Sequence, residues 1–512
     1  MLDRLDAATF RHHPDGQSGE RMRQFAALII GLLWPALAAA QDTQPPEVDT
    51  SGGRLVGVVM PDGSAGFRGI PYAAPAVEQG RWTAPAPPAT WTGVRPAQKA
   101  GPPCAQPDLG WNSGDAARGS EDCLYLDVRT PRLEAGAGLP VMVNIHGGAN
   151  VAGSGSGFLY SSIVERGVVL VTINYRLGVF GFLSHPEITS EGGAVGNFAL
   201  LDQIAALEWV RENIAAFGGD PDNVTIFGHS AGAQDVSLLT LTPRARGLFR
   251  RAIAQSGTAG FGLSPRTLAE NEQVGVDLAE AVGAEDLTAL RATPAQVLIE
   301  AGRALHATVS DDSLIWLQAV VDGQVLPASP QALLEAGEGS DIPLIVGFSA
   351  REFGPPGDAE GAVAWVREQF GETAEEALRL YGLHDGRPVD AAMADRIAVD
   401  AMFRCPALVM ARVRAEHGGR TWIYRLDVER PGSGQPVHHG SELPFVFDRA
   451  ESDDPGVWPP MQAYWAAFSA TGTPDADWRP WDETDTYLIF GPQGPVPASQ
   501  TGADVCELFN RP

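Results

Sequence analysis

The pentapeptide Gly228-His229-Ser230-Ala231-Gly232 constrains this chain more than any other feature. It fits the pattern G-x-S-x-G. The run before it, Val224-Thr225-Ile226-Phe227, is apolar and rich in β-branched residues, as a buried strand is. The run after it, Ala233 to Leu239, reads as a helix. A serine on a sharp strand-to-helix turn has its hydroxyl pushed into the open, because the small flanking residues let the backbone turn tightly. The competing reading is a glycine-rich turn whose serine only caps the helix. The strand before and the helix after favour the exposed nucleophile.

A serine hydroxyl is a weak nucleophile near neutral pH. It needs a base, an acid that orients the base, and donors for the oxyanion that forms on attack. A second buried-strand run, Pro140 to Ile145, ends in His146-Gly147-Gly148-Ala149. Glycines there let backbone N–H groups approach a substrate oxygen with no Cβ in the way. Gly147 and Gly148, with the N–H of Ala231, would make a three-donor hole. Loss of one such donor typically costs about 10²–10³ in rate. An ordinary glycine turn is the alternative. The ten histidines do not sort themselves by chemistry alone.

Further stretches carry a family resemblance nearly end to end. They include Phe67-Arg68-Gly69-Ile70-Pro71-Tyr72, Glu121-Asp122-Cys123-Leu124-Tyr125-Leu126-Asp127-Val128 and Asn174-Tyr175-Arg176-Leu177-Gly178. Gly196-Asn197, Leu201-Asp202-Gln203 and Phe217-Gly218-Gly219-Asp220-Pro221 lead to the pentapeptide. Ala254-Gln255-Ser256-Gly257 and His439-Gly440-Ser441-Glu442-Leu443-Pro444 follow it. The chain resembles the type-B carboxylesterases, the family of bacterial para-nitrobenzyl esterases and cholinesterases. The resemblance implies an α/β-hydrolase fold and a Ser-His-Glu triad.

The family's base lies in a His-Gly-x-Glu-Leu-Pro segment, which only His439 fits; His438 is one residue off and is expected to line the loop. The resemblance places the acid at Glu352, after the apolar run Pro343 to Gly347. The family's Asp-Glu-Gly context is Arg351-Glu352-Phe353 here, so the flanking aspartate and glycine are lost. A solvated glutamate, or a partner of Arg351, is the other reading of Glu352. The order Ser230, Glu352, His439 is the α/β-hydrolase order. Ser256 matches a serine that supports the triad from behind, or else it is simply a strand-end hydroxyl. Cys104 and Cys123 match the family's first disulfide loop, whose closure should add about 3 kcal/mol. Cys405 and Cys506 resemble the last bridge of the cholinesterases. Trp111 lies between Cys104 and Cys123, either as a gorge-wall aromatic or as loop packing.

One departure bears on substrate choice. The family carries glutamate before the nucleophile, and this chain carries His229. In cholinesterases that negative charge favours a cationic substrate. An imidazole removes the benefit, so no preference for choline esters is expected.

Apolar strands alternate with helical stretches, which argues for a mostly parallel sheet covered on both faces. Helical insertions are expected over roughly residues 268–305 and 360–417. No low-complexity linker or repeat divides the chain, so residues 41–512 read as one α/β-hydrolase domain. Arg21-Met22-Arg23 is followed by an apolar run from Phe25 to Leu37 and by Ala38-Ala39-Ala40. That is the layout of a secretory signal peptide over residues 22–40. The apolar run falls short of the about 20 residues that span a bilayer. No cysteine directly follows the cleavage site, so no lipid anchor is expected. Residues 1–21 are polar and read as an upstream extension. Four cysteines agree with an oxidising, secreted or periplasmic setting.

The formal net charge is −27, and Lys99 is the single lysine. Such a surface repels nucleic acid, whose phosphates need a basic patch. The expected function is hydrolysis of small carboxylic esters through an acyl-enzyme, with no metal or organic cofactor. The same triad also serves amides, carbamates and lactones. A non-catalytic cholinesterase-like binding protein is the remaining alternative; such proteins lose the serine or histidine that this chain keeps. Acyl length, alcohol preference and oligomeric state leave no mark on the sequence.

Overall fold

The computed structural model describes residues 44–509 apart from 194, 261–265, 309–314, 354–358, 385–388, 483–485 and 500–504. The expected signal segment therefore lies outside the described residues. Among the described residues, an eleven-stranded sheet runs through the molecule. Its first strands in chain order are β1 (Val58–Val59), β2 (Ala65–Pro71), β3 (Tyr125–Thr130), β4 (Leu139–Ile145) and β5 (Val169–Ile173). Then come β6 (Gly219–His229), β7 (Arg251–Gln255), β8 (Leu344–Ser349), β9 (Thr421–Leu426), β10 (Thr486–Gly491) and β11 (Gly494–Ser499).

The spatial order is β11-β10-β9-β8-β7-β6-β4-β5-β3-β2-β1. The pairings from β10 across to β5 are parallel. Those at both edges are antiparallel. The sheet is thus mixed, with the expected parallel block at its centre. All five residues of β5 are buried, as befits a central strand covered on both faces.

Strand periodicity explains how both faces are filled. Val141, Val143 and Ile145 of β4 enter one hydrophobic core. Met142 between them enters the opposite core. Successive side chains of a strand point to opposite faces, so one apolar run supplies both. Helix α1 (Phe198–Asn213) packs on the first side through Ala206, Leu207 and Val210. Helix α2 (Ala231–Leu241), every residue of it buried, joins the same side through Val236 and Leu238. The helix Met461–Thr471 covers the other side through Met461, Trp465 and Phe468.

The two expected insertions are helical. One holds Leu268–Ala281, Leu287–Ala292 and Ala295–Thr308. The other runs from Ala359–Phe370 to Cys405–Glu416. The second has its own small core, in which Phe370, Leu378, Tyr381 and Val505 gather around Cys405 and Cys506. Those cysteines are bonded to each other, as are Cys104 and Cys123.

Replacing both Cys405 and Cys506 by alanine frees a tether that spans 101 residues. Closing a loop of that size stabilises by roughly 3–5 kcal/mol on the chain-entropy account. The thermal midpoint of the double variant should fall by about 3–5 °C. An unchanged midpoint would show that the bridge does not stabilise this insertion.

Candidate active site

The site forms where the central parallel strands end, the usual place for ligands in such sheets. Ser230 links β6 to α2 with φ 60° and ψ −126°. For a non-glycine residue that backbone is strained, and it is the geometry of a nucleophile elbow. The Ser230 N–H donates to Gln255 O at 2.8 Å, which ties the elbow to β7. The flanking glycines answer to close packing. A Cβ on Gly228 would lie 2.6 Å from Ile145 O, and one on Gly232 only 2.2 Å from the same atom. Only glycine lets strand and helix approach β4 this closely. Ala231 opens α2, and the first N–H groups of a helix have no partner within it.

The glycine loop follows directly. Ile145 ends β4 opposite Gly228. A Cβ on Gly147 would lie 2.4 Å from His229 O and 3.2 Å from Ser230 Cβ, so this loop rests on the elbow. Gly148 has φ 115°. Its carbonyl accepts from Val151 and Ala152 at 3.1 and 3.0 Å, which folds the loop back. Trp111 stands beside it; a Cβ on Gly148 would be 3.4 Å from Trp111 Cη2.

Glu352 follows β8, and Ser349 N donates to its Oε1 at 2.7 Å. Its Oε2 lies 2.6 Å from His439 Nδ1, with the Glu352 side chain fully buried and that of His439 11% exposed. Arg351 is paired with Asp395 at 2.6 Å instead. The His439 ring is packed by Phe353 at 4.1 Å, His229 at 4.4 Å and Phe403 at 5.6 Å between centroids. Because His229 directly precedes Ser230, this stack brings the His439–Glu352 pair to the elbow. Phe403 comes from a π-helical turn, Asp400–Arg404, where one extra residue re-aims the side chains of a long helix. His438 is turned to its own loop, with Nδ1 2.9 Å from Pro436 O and 3.1 Å from Ser441 Oγ.

Behind the pair, Ser256 meets a second buried carboxyl group, Glu442, whose part sequence reasoning passed over. Ser256 Oγ lies 2.8 Å from Glu352 Oε1 and 2.9 Å from Glu442 Oε1. Ser349 Oγ donates to Glu442 Oε2 at 3.3 Å. Two buried carboxyl groups thus share one hydroxyl, which has a single proton to give. Burial, then the nearby Glu442, pushes Glu352 up to about 8. Burial pushes His439 down to about 4. Across the short Glu352–His439 contact the two groups titrate as a pair, and burial favours the uncharged form of each. Burial also lowers His229 to about 4; its Nε2 is 3.8 Å from Glu442 Oε1. Glu442 stood in the matched segment around His439, but nothing local distinguished it. Phe403 left no signal, since its approach depends on the insertion.

The fold and the elbow define an α/β-hydrolase. The carboxylesterase family model matches residues 44–501. The chain is 34% identical to the fumonisin B1 esterase of Sphingopyxis macrogoltabida, over 90% of this chain and 89% of that protein. It is 36% identical to the para-nitrobenzyl esterase of Bacillus subtilis (strain 168), over 86% of this chain and 94% of that protein. Among solved structures, a para-nitrobenzyl esterase superposes with TM-score 0.79 at 32% identity, covering 91% of this chain and 99% of its own. A carboxylesterase of Geobacillus stearothermophilus superposes at 0.77 and 32% identity, covering 91% and 100%. The chain belongs to the carboxylesterase family and is a carboxylic ester hydrolase.

The close approach at Gly232 gives a direct test. Gly232→Ala places a methyl group 2.2 Å from the Ile145 carbonyl, so elbow or strand must move. Turnover of a p-nitrophenyl ester should fall at least about ten-fold, with a lowered thermal midpoint. Wild-type turnover and stability would contradict the packing account.

Proposed function

We propose that this chain is a secreted serine carboxylesterase that works through an acyl-enzyme on Ser230. The observation that carries the reading is the 2.6 Å His439–Glu352 contact, held against the elbow by the His229 ring. His439, uncharged at rest, takes the Ser230 proton as Oγ attacks the ester carbonyl. Glu352 holds the imidazole in orientation and stabilises the imidazolium that forms. The N–H groups of Gly147, Gly148 and Ala231 receive the oxyanion. The alcohol leaves with the proton from His439. Water, activated by the same histidine, then frees Ser230 and releases the acid. Ser256 and Glu442 support Glu352 from behind. The signal-like segment at 22–40 and the two disulfides support export.

His229 bears on substrate class. Held uncharged by burial, it offers no negative charge beside the nucleophile. Acetylthiocholine should therefore have a lower kcat/KM than an uncharged thioester of the same acyl group. Equal or better kinetics with the cation would overturn this reading.

The reading as a whole is tested with p-nitrophenyl esters of rising acyl length. The wild type should turn over at least part of the series, and Ser230→Ala should lose about 10⁴-fold or more. A variant that keeps wild-type turnover removes Ser230 as nucleophile. The pH profile gives an independent check. His439 acts as the base when it is neutral and Glu352 is ionised, and burial opposes the charge on each. Because Glu352 is pushed up to about 8, kcat/KM should fall as pH drops through about 8, where the pair takes up its first proton. An acid limb centred near 6.5, where an unperturbed imidazole titrates, would contradict the buried geometry.

A further inference from the structure

Asp235 is fully buried in α2, one turn beyond the nucleophile. Gly232 backs onto the carbonyls of Ile145 and His146. Residues three apart share a helix face, so Asp235 lies beneath the same loop. Its Oδ2 accepts from Gln203 Nε2 of α1 at 2.6 Å. Its other neighbour in hydrogen bonding is the side chain of Asn150, which favours the ionised form of Asp235. Among the described residues, Asp235 Oδ1 and both polar atoms of Asn150 complete no hydrogen bond, so the contact is short of full engagement.

Asn150 is itself fully buried and closes the glycine loop. Ala149 and Asn150 have φ 54° and 60°. Two successive left-handed residues without glycine strain the backbone, Ala149 more than Asn150, since asparagine tolerates that region better. Something must hold them there. On one side Gly178 N donates to Asn150 O at 2.7 Å. On the other side stands Asp235. We propose that Asp235 is a positioning residue for the oxyanion loop, acting through Asn150 with Gln203 as its anchor. The inference rests on the reading of Gly147 and Gly148 as oxyanion donors.

The surroundings make this cluster sensitive to pH. The groups facing Asp235 are the Gln203 and Asn150 amides and the Tyr175 hydroxyl. Tyr175 donates to His146 O at 2.6 Å and stacks on the His146 ring at 4.4 Å. Burial holds that ring uncharged, down to about 4. The nearby Arg176 is committed to Asp202, which accepts from its Nε and Nη2 at 2.7 Å each. Burial without a cation raises Asp235 to about 7. Below that pH the carboxylic acid can bridge the two amides without charge. Above it, an anion lies under a loop that must receive an oxyanion, and like charges oppose each other. Turnover should therefore lose a component as Asp235 ionises.

The experiment compares kcat and KM of Asp235→Asn, Asp235→Leu, Asn150→Ala and Asn150→Gly with the wild type on one p-nitrophenyl ester, with Ser230→Ala run alongside. Asp235→Leu and Asn150→Ala should lower kcat at least about ten-fold with KM nearly unchanged. Asn150→Gly should keep most of kcat, because glycine reaches positive φ unaided. The ratio of wild-type to Asp235→Asn kcat should fall about three-fold or more between about pH 6 and about pH 9. A pH-independent ratio, or equal losses in Asn150→Gly and Asn150→Ala, overturns the proposal. If Asp235→Leu does not fold, the Asn150 pair and the amide variant decide. An active Ser230→Ala would instead indict the underlying site. An inactive one with indifferent Asp235 and Asn150 variants indicts this inference alone.

Discussion

The close approach of α2 and β6 to the end of β4 is the contact on which the rest depends. It exists because Gly228 and Gly232 present no Cβ to the Ile145 carbonyl. With the strands drawn together, the glycine loop after β4 lands on the elbow, and Gly147 rests against His229. The same closeness forces the strained backbone at Ser230. The strain is maintained by packing on both sides: the N–H of Ser230 is bound to β7, and every residue of α2 is buried. A serine held this way, as the proposed nucleophile, needs no adjustment when substrate arrives, and that is where much of an enzyme's advantage over water lies.

Electrostatics form the next layer. The site buries two glutamates and two histidines in one cluster, with Ser256 between the carboxyl groups. Buried charges are costly unless paired, so burial disfavours charge on both imidazoles and on Glu352. Neutral His439 is the form a general base requires. Neutral His229 leaves the approach to Ser230 without the anion that would recruit cationic esters. In the proposed mechanism, burial thus serves both reactivity and selectivity.

The sequence disclosed these layers unevenly. Runs such as Val224–Phe227 and Val141–Ile145 were legible because central parallel strands are apolar throughout. The antiparallel edges were not, because short partly exposed strands such as Val58–Val59 carry little pattern. The elbow announced itself through its glycines. Glu352 did not: Arg351-Glu352-Phe353 holds no local chemistry, and only the family resemblance pointed there. Glu442 and Phe403 lie further from view, since their roles arise from long-range packing. Asp235 was invisible for a different reason. An aspartate in a helix reads as a solvated residue until the structure shows it sealed beneath a loop.

The central claim is that one strained serine carries the reaction. Labelling with a fluorophosphonate, followed by mass spectrometry of the digested protein, tests it most directly. The account predicts one covalent adduct per chain, on the peptide containing Ser230, with esterase activity lost in proportion to labelling. Full activity after stoichiometric labelling of Ser230, or activity lost through an adduct elsewhere, would contradict it.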